Sequence, residues 1–270
     1  MTKKSQTNSQ PIVIGMIPAR LASTRFPGKI LHPIAGKSLI QHTFENAQRC
    51  NLLKSLIIAT EDKRVFDHVT SFGARAIMTS VDCLTGTDRI VEALRNNNEW
   101  NDADIIVNIQ GDEPCLDPEV IQKVVEALVN DPEAVMSTAA TKLECAEEAL
   151  SSSIVKCAID QNGNALYFSR ALIGAGKSGK WHPKMPIFRH MGLYAFRRDF
   201  LLKYGDLPVT PLQLAEDLEQ LKVLEHGFRI KVALVDHFSI GVDIPDDIQK
   251  VELWLCKQNT SSSPVASALL

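Results

Sequence analysis

Residues 12–29 read IVIGMIPARLASTRFPGK, an apolar β-type run that breaks straight into a loop carrying Arg20, Arg25 and Lys29. Pro18, Pro27 and Gly28 punctuate that loop. A strand ending in a tight turn with several cations suits a polyanion such as a triphosphate. The cations supply charge, and the backbone N–H groups of a turn cradle phosphate oxygens. A solvated basic loop is the competing reading of this stretch taken alone. A second segment, Gln110-Gly111-Asp112-Glu113-Pro114, weighs against that reading, because it ends another apolar strand in an acidic turn.

Outward from these two segments, apolar runs at 12–17, 55–60, 74–79, 104–110 and 134–141 predict strands. Between them, apolar residues recur at the helical period: Leu39, Ile40, Phe44 and Ala47; Val65, Val69 and Phe72; Ile90, Val91 and Leu94; Ile121, Val124, Val125 and Leu128. Near-continuous apolar strands alternating with helices imply an α/β fold, a mostly parallel sheet with helices on both faces. After about residue 150 the pattern loosens. Runs at 154–159 and 166–169 flank Gln161-Asn162-Gly163-Asn164, a hairpin signal. Residues 174–186, rich in Gly, Lys and Pro, predict a mobile loop. A strand at 191–196, a long amphipathic helix over 212–226 and a last strand at 230–235 lead to Gly241-Val242-Asp243-Ile244-Pro245. Residues 1–10 and 258–270 are polar or Ser-rich and predict disordered tails around a single domain over 11–257.

A chain of 270 residues can bury roughly 70–75% of its unfolded surface without staples. The net charge of −3 argues against a nucleic-acid coat or a membrane-surface protein, so anion binding must come from local clustering. Cys50, Cys83, Cys115, Cys145, Cys157 and Cys256 lie far apart without a CxxC pair, which suits reduced thiols better than zinc or a disulfide scaffold. The polar start MTKKSQTNSQ has no apolar signal core, and no run approaches the ~20 apolar residues of a membrane span. A cytoplasmic protein without membrane insertion or a nucleic-acid partner is expected.

In open α/β sheets, ligands gather outside the carboxyl ends of the strands. The Arg20–Lys29 loop, the Gln110–Pro114 turn and the Asp243 loop all follow predicted strands and can converge there. Asp112 reads either as a carboxylate aimed into that cleft or as turn punctuation. Asp243 reads either the same way or as a helix N-cap ahead of Pro245. Two carboxylates facing a triphosphate suggest Mg²⁺, which prefers one or two carboxylates plus phosphate oxygens and waters. Cations and metal together would stabilise charge on a transferring nucleotidyl phosphate.

The segments PARLASTRFPGK (18–29), TGTDR (85–89), NIQGDEP (108–114), ALYFSR (165–170), RHMGLYAF (189–196), EDLEQLKVLEHG (216–227) and GVDIPDD (241–247) together resemble the 3-deoxy-manno-octulosonate (Kdo) cytidylyltransferases, or CMP-Kdo synthetases. The resemblance spans essentially residues 12–255 and implies a nucleotide-diphospho-sugar transferase (GT-A-like) fold with a smaller dimerisation lobe. It implies transfer of CMP from CTP to Kdo with release of pyrophosphate, for lipopolysaccharide biosynthesis, by a homodimer using Mg²⁺. Residues 11–150 would serve mainly the nucleotide, and 151–240 mainly the sugar and the dimer lobe.

By the same resemblance, Arg20, Arg25 and Lys29 would bind CTP phosphates, with Ser23 and Thr24 in the same loop. Thr85, Gly86, Thr87 and Arg89 would line the nucleoside side, where a small turn allows close approach. Asp112 and Asp243 would hold the metal and, with Lys29 and Arg20, act in catalysis. Gln110, which would touch both substrates, joins Arg170, His190, Tyr194, Glu219 and Gln220 around the sugar acid. Arg170 can pair bidentately with a carboxylate, while amides and His190 can read hydroxyls. Adjacent positions on one helix would keep Glu219 and Gln220 from both occupying the centre of its buried face.

Taken alone, His190 also reads as a core or surface histidine and Tyr194 as a core aromatic with a wet hydroxyl. His32, His42, His68, His182, His226 and His237 form no ligand spacing and read as structural. One departure from the family concerns the residues after Ser169-Arg170-Ala171, where Ile173-Gly174 replaces the usual Ile-Pro. Two rivals stay open: a cytidylyltransferase for another acidic 2-keto sugar such as a sialic acid, and a non-catalytic nucleotide-binding regulator on the same fold.

Overall fold

The computed structural model describes residues 10–236 and 239–261, so the expected tails at 1–9 and 262–270, and His237, lie outside the described residues. β1 (Val13–Ala19) is buried along its whole length, as its unbroken apolar sequence requires. A 3₁₀ turn at Lys29–Leu31 and a small hairpin, β2 (Pro33–Ile34) and β3 (Lys37–Ser38), lead into α1 (Leu39–Gln48). There follow β4 (Leu53–Thr60), α2 (Lys63–Ser71), β5 (Arg75–Met78), α3 (Gly86–Arg95), β6 (Ile105–Asn108), α4 (Pro118–Val129) and β7 (Ala134–Lys142). The looser half holds α5 (Ala146–Leu150), β8 (Lys156–Ile159), β9 (Ala165–Ser169), β10 (Ile187–Arg197), α6 (Arg198–Tyr204), α7 (Pro211–Glu216), α8 (Gln220–Glu225), β11 (Arg229–Leu234) and α9 (Asp247–Ser261).

The main sheet runs β11-β7-β10-β6-β1-β4-β5. Only β10 opposes its neighbours β7 and β6 on this path; the other pairs are parallel. The chain winds outward from β1 to β4 and β5, then returns to place β6 on the other side of β1. The crevice between the β1 and β6 ends is therefore a topological switch point, where doubly wound sheets bind ligands. Both loops singled out above start there.

The periodic apolar residues bury on two faces. Ile40, Phe44, Val65, Val69, Ile121, Val124, Val125 and Leu128 pack beneath one. Ile90, Val91 and Leu94 pack beneath the other, with Phe200, Tyr204, Leu221 and Val223. Sequence-coded caps start the helices: the Ser38 hydroxyl accepts the Gln41 N–H of α1, Asp117 precedes Pro118 at α4, and Thr85 and Asp88 form a capping box on α3.

Three expectations need correction. The helix expected over 212–226 is two helices, α7 and α8, separated by Asp217 in the left-handed region at φ 52°. The Arg170 guanidinium stabilises the break by donating to the carbonyls of Glu216 (2.9 Å) and Asp217 (3.3 Å). The C-terminal helix begins at Asp247 and not at Pro245, and it continues through 258–261, which were read as tail. Asp243 therefore caps nothing; instead the Asp247 carboxylate accepts the N–H groups of Asp243 (3.0 Å) and Ile244 (3.2 Å).

The Ile173-Gly174 departure also has a physical reason. Gly174 sits at φ 69°, which proline's ring cannot reach, and a Cβ there would lie 2.9 Å from Ile187 Cδ1. Around it, Leu172, Ile173, Trp181 and Met185 pack with Ile187 and Leu143, so this part of the 174–186 loop has a small core of its own.

Candidate functional site

At the switch point, the expected cations and carboxylates meet. Gly28, at φ 72°, turns the chain so that Lys29 enters the short 3₁₀ segment with its side chain inward. Its ammonium donates to Asp112 Oδ2 at 2.6 Å, to the Val242 carbonyl at 2.7 Å and to Asp243 Oδ1 at 3.4 Å. The Val242 N–H donates to the Asp112 carbonyl (2.9 Å), tying the two acidic loops together. Segments more than 200 positions apart are thus joined on one lysine.

Arg25 reaches Asp243 Oδ1 at 3.0 Å from a side chain that is 65% exposed. Ser23 and Thr24 lie beside it, half-buried and exposed. Arg20 donates to the Cys83 carbonyl (2.7 Å) and so links this loop to the 83–89 segment. An exposed arginine contributes within ~0.5 kcal/mol to stability. Arg25→Ala is therefore expected to weaken nucleotide use while leaving the melting temperature nearly unchanged, as calorimetry and nucleotide titration will show. A large fall in melting temperature with unaltered nucleotide kinetics would instead make Arg25 structural.

The second wall comes from β10 and the α7–α8 break. A bulge between Met191 and Tyr194 re-aims the strand beside Thr138. The Thr138 hydroxyl lies 2.8 Å from the Leu193 carbonyl and 2.9 Å from His190 Nε2, and Phe168 packs edge-on to that imidazole. Burial pushes the His190 pKa down to about 3, so the ring is neutral. The Tyr194 hydroxyl donates to Gln220 Oε1 at 3.1 Å, and burial raises its pKa well above the usual phenol range. Glu219 accepts from the Thr87 hydroxyl at 2.7 Å, Thr87 accepts from Asn108 Nδ2 at 3.1 Å, and Gln110 Nε2 reaches Asn108 Oδ1 at 3.5 Å. Burial raises the Glu219 pKa. Gln220 is buried, whereas Glu219, half-buried at the N-cap of α8, turns to Thr87, so the two adjacent residues do not share the centre of the buried face.

These walls enclose a cleft of about 840 Å³, lined among others by Arg25, Gln110, Asp112, His190, Tyr194, Gln220 and Asp243. Three expected ligands, Arg89, Arg170 and Thr87, are turned away from it. Arg89 is 1% exposed, paired with Glu61 at 2.9 Å and hydrogen-bonded to the Thr79 hydroxyl and the Ser80 carbonyl. It holds the wall and does not present charge to a nucleotide. Arg170 is committed to the carbonyls at the helix break and, at 3.4 Å, to that of Ser152, because the left-handed turn at Asp217 needs those donors. Thr87, wholly buried, bridges Asn108 and Glu219 and does not face the cleft as a ligand.

Two lining residues escaped the sequence reading. Glu113 is half-buried beside the acidic pair with one carboxylate oxygen enclosed, and desolvation, then the Asp112 charge, pushes its pKa up to about 7. Arg189 also lines the cleft, with Glu148 3.1 Å away. Both stand inside motifs already quoted, next to Asp112 and His190, but only the folded chain shows where they point.

The acidic pair fits a small hard cation, since one ammonium already sits between Asp112 and Asp243. Among the described residues, no group of three or more His, Cys, Asp or Glu side chains forms a metal cage. One or two carboxylates are the number Mg²⁺ favours where phosphate oxygens and water would complete its shell.

Residues 14–231 match the cytidylyltransferase family. The 3-deoxy-manno-octulosonate cytidylyltransferase of Protochlamydia amoebophila is 60% identical over 92% of this chain and 96% of its own length. The enzyme of that name from Zea mays is 49% identical over 91% of this chain and 82% of its own. Among solved structures, a CMP:2-keto-3-deoxy-manno-octonic acid synthetase complexed with CTP superposes with a TM-score of 0.84 at 36% identity, covering 92% of this chain and 99% of that one.

Proposed function

The chain belongs to the 3-deoxy-manno-octulosonate cytidylyltransferase family, and from that premise we propose that it transfers CMP from CTP to Kdo, releasing pyrophosphate. The observation that carries the reading is the convergence of Lys29, Asp112 and Asp243 on a cleft whose other wall is His190, Tyr194 and Gln220. The names of the relatives point to Kdo and not to a sialic acid, and the related structure holds CTP. Retention of both carboxylates disfavours a non-catalytic regulator.

In this reading, Arg20, Arg25 and Lys29 take the triphosphate, with Ser23 and Thr24 in the same loop. Thr85 and Gly86 stand on the nucleoside side, where Arg20 already reaches the Cys83 carbonyl. Gln110, the neutral His190, Tyr194 and Gln220 orient the sugar so that its anomeric hydroxyl faces the α-phosphorus of CTP. The hydroxyl oxygen bonds to that phosphorus as the bond to the pyrophosphate oxygen breaks, the hydroxyl proton passes to water, and the cations stabilise the charge that collects on the leaving group. Asp112 and Asp243 would hold Mg²⁺, which supplies charge neutralisation at the phosphates. Pyrophosphate release measured across nucleotides and sugar acids tests the reading. Release that requires CTP and Kdo together supports it, and none under any Mg²⁺ concentration removes it.

We also propose a homodimer built on the later half of the chain. The β8–β9 ribbon branches from β10 off the path of the main sheet, Leu166 on β9 is 61% exposed, and Leu150 at the end of α5 is 66% exposed. Light scattering is expected to return a dimer mass at micromolar concentration; a monomer mass there counts against the assembly. Among the described residues the cysteines form no disulfide, which supports a reducing, cytoplasmic setting. Among the described residues, no helix is long and apolar enough to cross a membrane.

A further inference from the structure

The Lys29 ammonium has three acceptors, Asp112 Oδ2, the Val242 carbonyl and Asp243 Oδ1, and its side chain is only 11% exposed. An ammonium has three protons to donate, so these contacts use its whole donor capacity. The carboxylate oxygens it holds belong to the residues that would bind the metal in the proposed reaction. A divalent cation bound to both oxygens would sit within a few ångströms of the ammonium, where like charges in a partly buried site repel strongly. A buried ammonium stripped of its acceptors is also costly unless another partner receives it. Lys29 closes the Arg20–Lys29 loop, so a triphosphate lying on that loop is such a partner.

We propose that Lys29 and the divalent cation compete for the Asp112–Asp243 pair, so that the metal enters together with the nucleotide, whose phosphates draw the ammonium off the carboxylates. This inference rests on the metal assignment made above. It gives Lys29 a role beyond phosphate binding: it keeps the acidic pair closed to free cations. Because coupling between two ligands is reciprocal, metal also strengthens nucleotide binding by the amount that nucleotide strengthens metal binding.

The test is Mn²⁺ binding to the full chain without nucleotide, followed by electron paramagnetic resonance. Lys29→Gln and Lys29→Met, checked for folding by circular dichroism, are expected to bind Mn²⁺ about 10-fold more tightly than the wild type, within the range such couplings span. Lys29→Arg keeps the charge and is expected to bind as weakly as the wild type. Equal or weaker binding by the neutral variants overturns the proposal. A wild-type arm covers the case where those variants do not fold. Saturating Mn²⁺ without nucleotide is expected to raise acetylation of Lys29 by acetic anhydride, read by mass spectrometry. Unchanged acetylation at saturation overturns the competition. Absence of Mn²⁺ binding in every variant also overturns it, whereas the proposed reaction stands or falls separately on pyrophosphate release from CTP and Kdo.

Discussion

Asp112→Asn or Asp243→Asn is expected to lower turnover on the order of 10²-fold or more, the scale of losing one preorganised electrostatic group. Each substitution keeps the shape of the side chain and its ability to accept a hydrogen bond, but removes the charge. At Asp112, the oxygen 2.6 Å from Lys29 remains an acceptor, so the loops that Lys29 joins keep their geometry. At Asp243, both Lys29 and Arg25 lose an ionic partner, and both cations are then freer to reach phosphate. The fold should tolerate the change at Asp243, which is half exposed and whose pair with Arg25 is the weak, solvent-screened kind, and the change at Asp112, where the amide oxygen still accepts from Lys29. Turnover is the expected casualty: a 10²-fold loss is about 2.7 kcal/mol of transition-state stabilisation. Steady-state pyrophosphate release in saturating Mg²⁺, read beside the melting temperature, separates the cases. Near-normal turnover by either variant would sink the metal assignment.

The fold was legible where the sequence carries period and punctuation. The apolar run of β1, the apolar stretches within β4 and β6, and the helical spacing of Ile121, Val124, Val125 and Leu128 need no tertiary information, and they sit where they were expected. The α7–α8 break was not legible. Nothing in 212–226 is Gly or Pro, and the left-handed turn at Asp217 rests on Arg170, donated from β9 far along the chain. The same long-range contact misled the site reading. A solvent-facing arginine in ALYFSR looks like a carboxylate partner until the helix break consumes its donors. Arg89 shows the same kind of error, since its burial against Glu61 depends on β4 and α3 packing side by side. Lys29, Asp112 and Asp243 were legible because each follows a strand of a sheet whose ligand-binding edge is set by topology.

Selection of the sugar acid is expected to be steep, with the specificity constant for Kdo exceeding that for N-acetylneuraminate by a factor that can reach ~10⁴. The wall proposed to hold the sugar retains little freedom. The His190 ring is neutral and held by Thr138, Tyr194 is committed to Gln220, and Glu219 is held by Thr87. Polar groups fixed in this way cannot swing to meet a different hydroxyl pattern, and an analogue that leaves them unpaired loses the hydrogen bonds without recovering water. N-acetylneuraminate has a longer side chain and an acetamido group to fit against the same wall. Arg170→Ala is expected to raise the Michaelis constant for Kdo more than that for CTP, because Arg170 holds the turn leading into Glu219 and Gln220. Competition between the two sugar acids at fixed CTP measures the ratio directly. If N-acetylneuraminate proved the better substrate, the Kdo assignment would fall. Transfer of CMP would survive, because it rests on the opposite wall, where Lys29 meets the acidic pair.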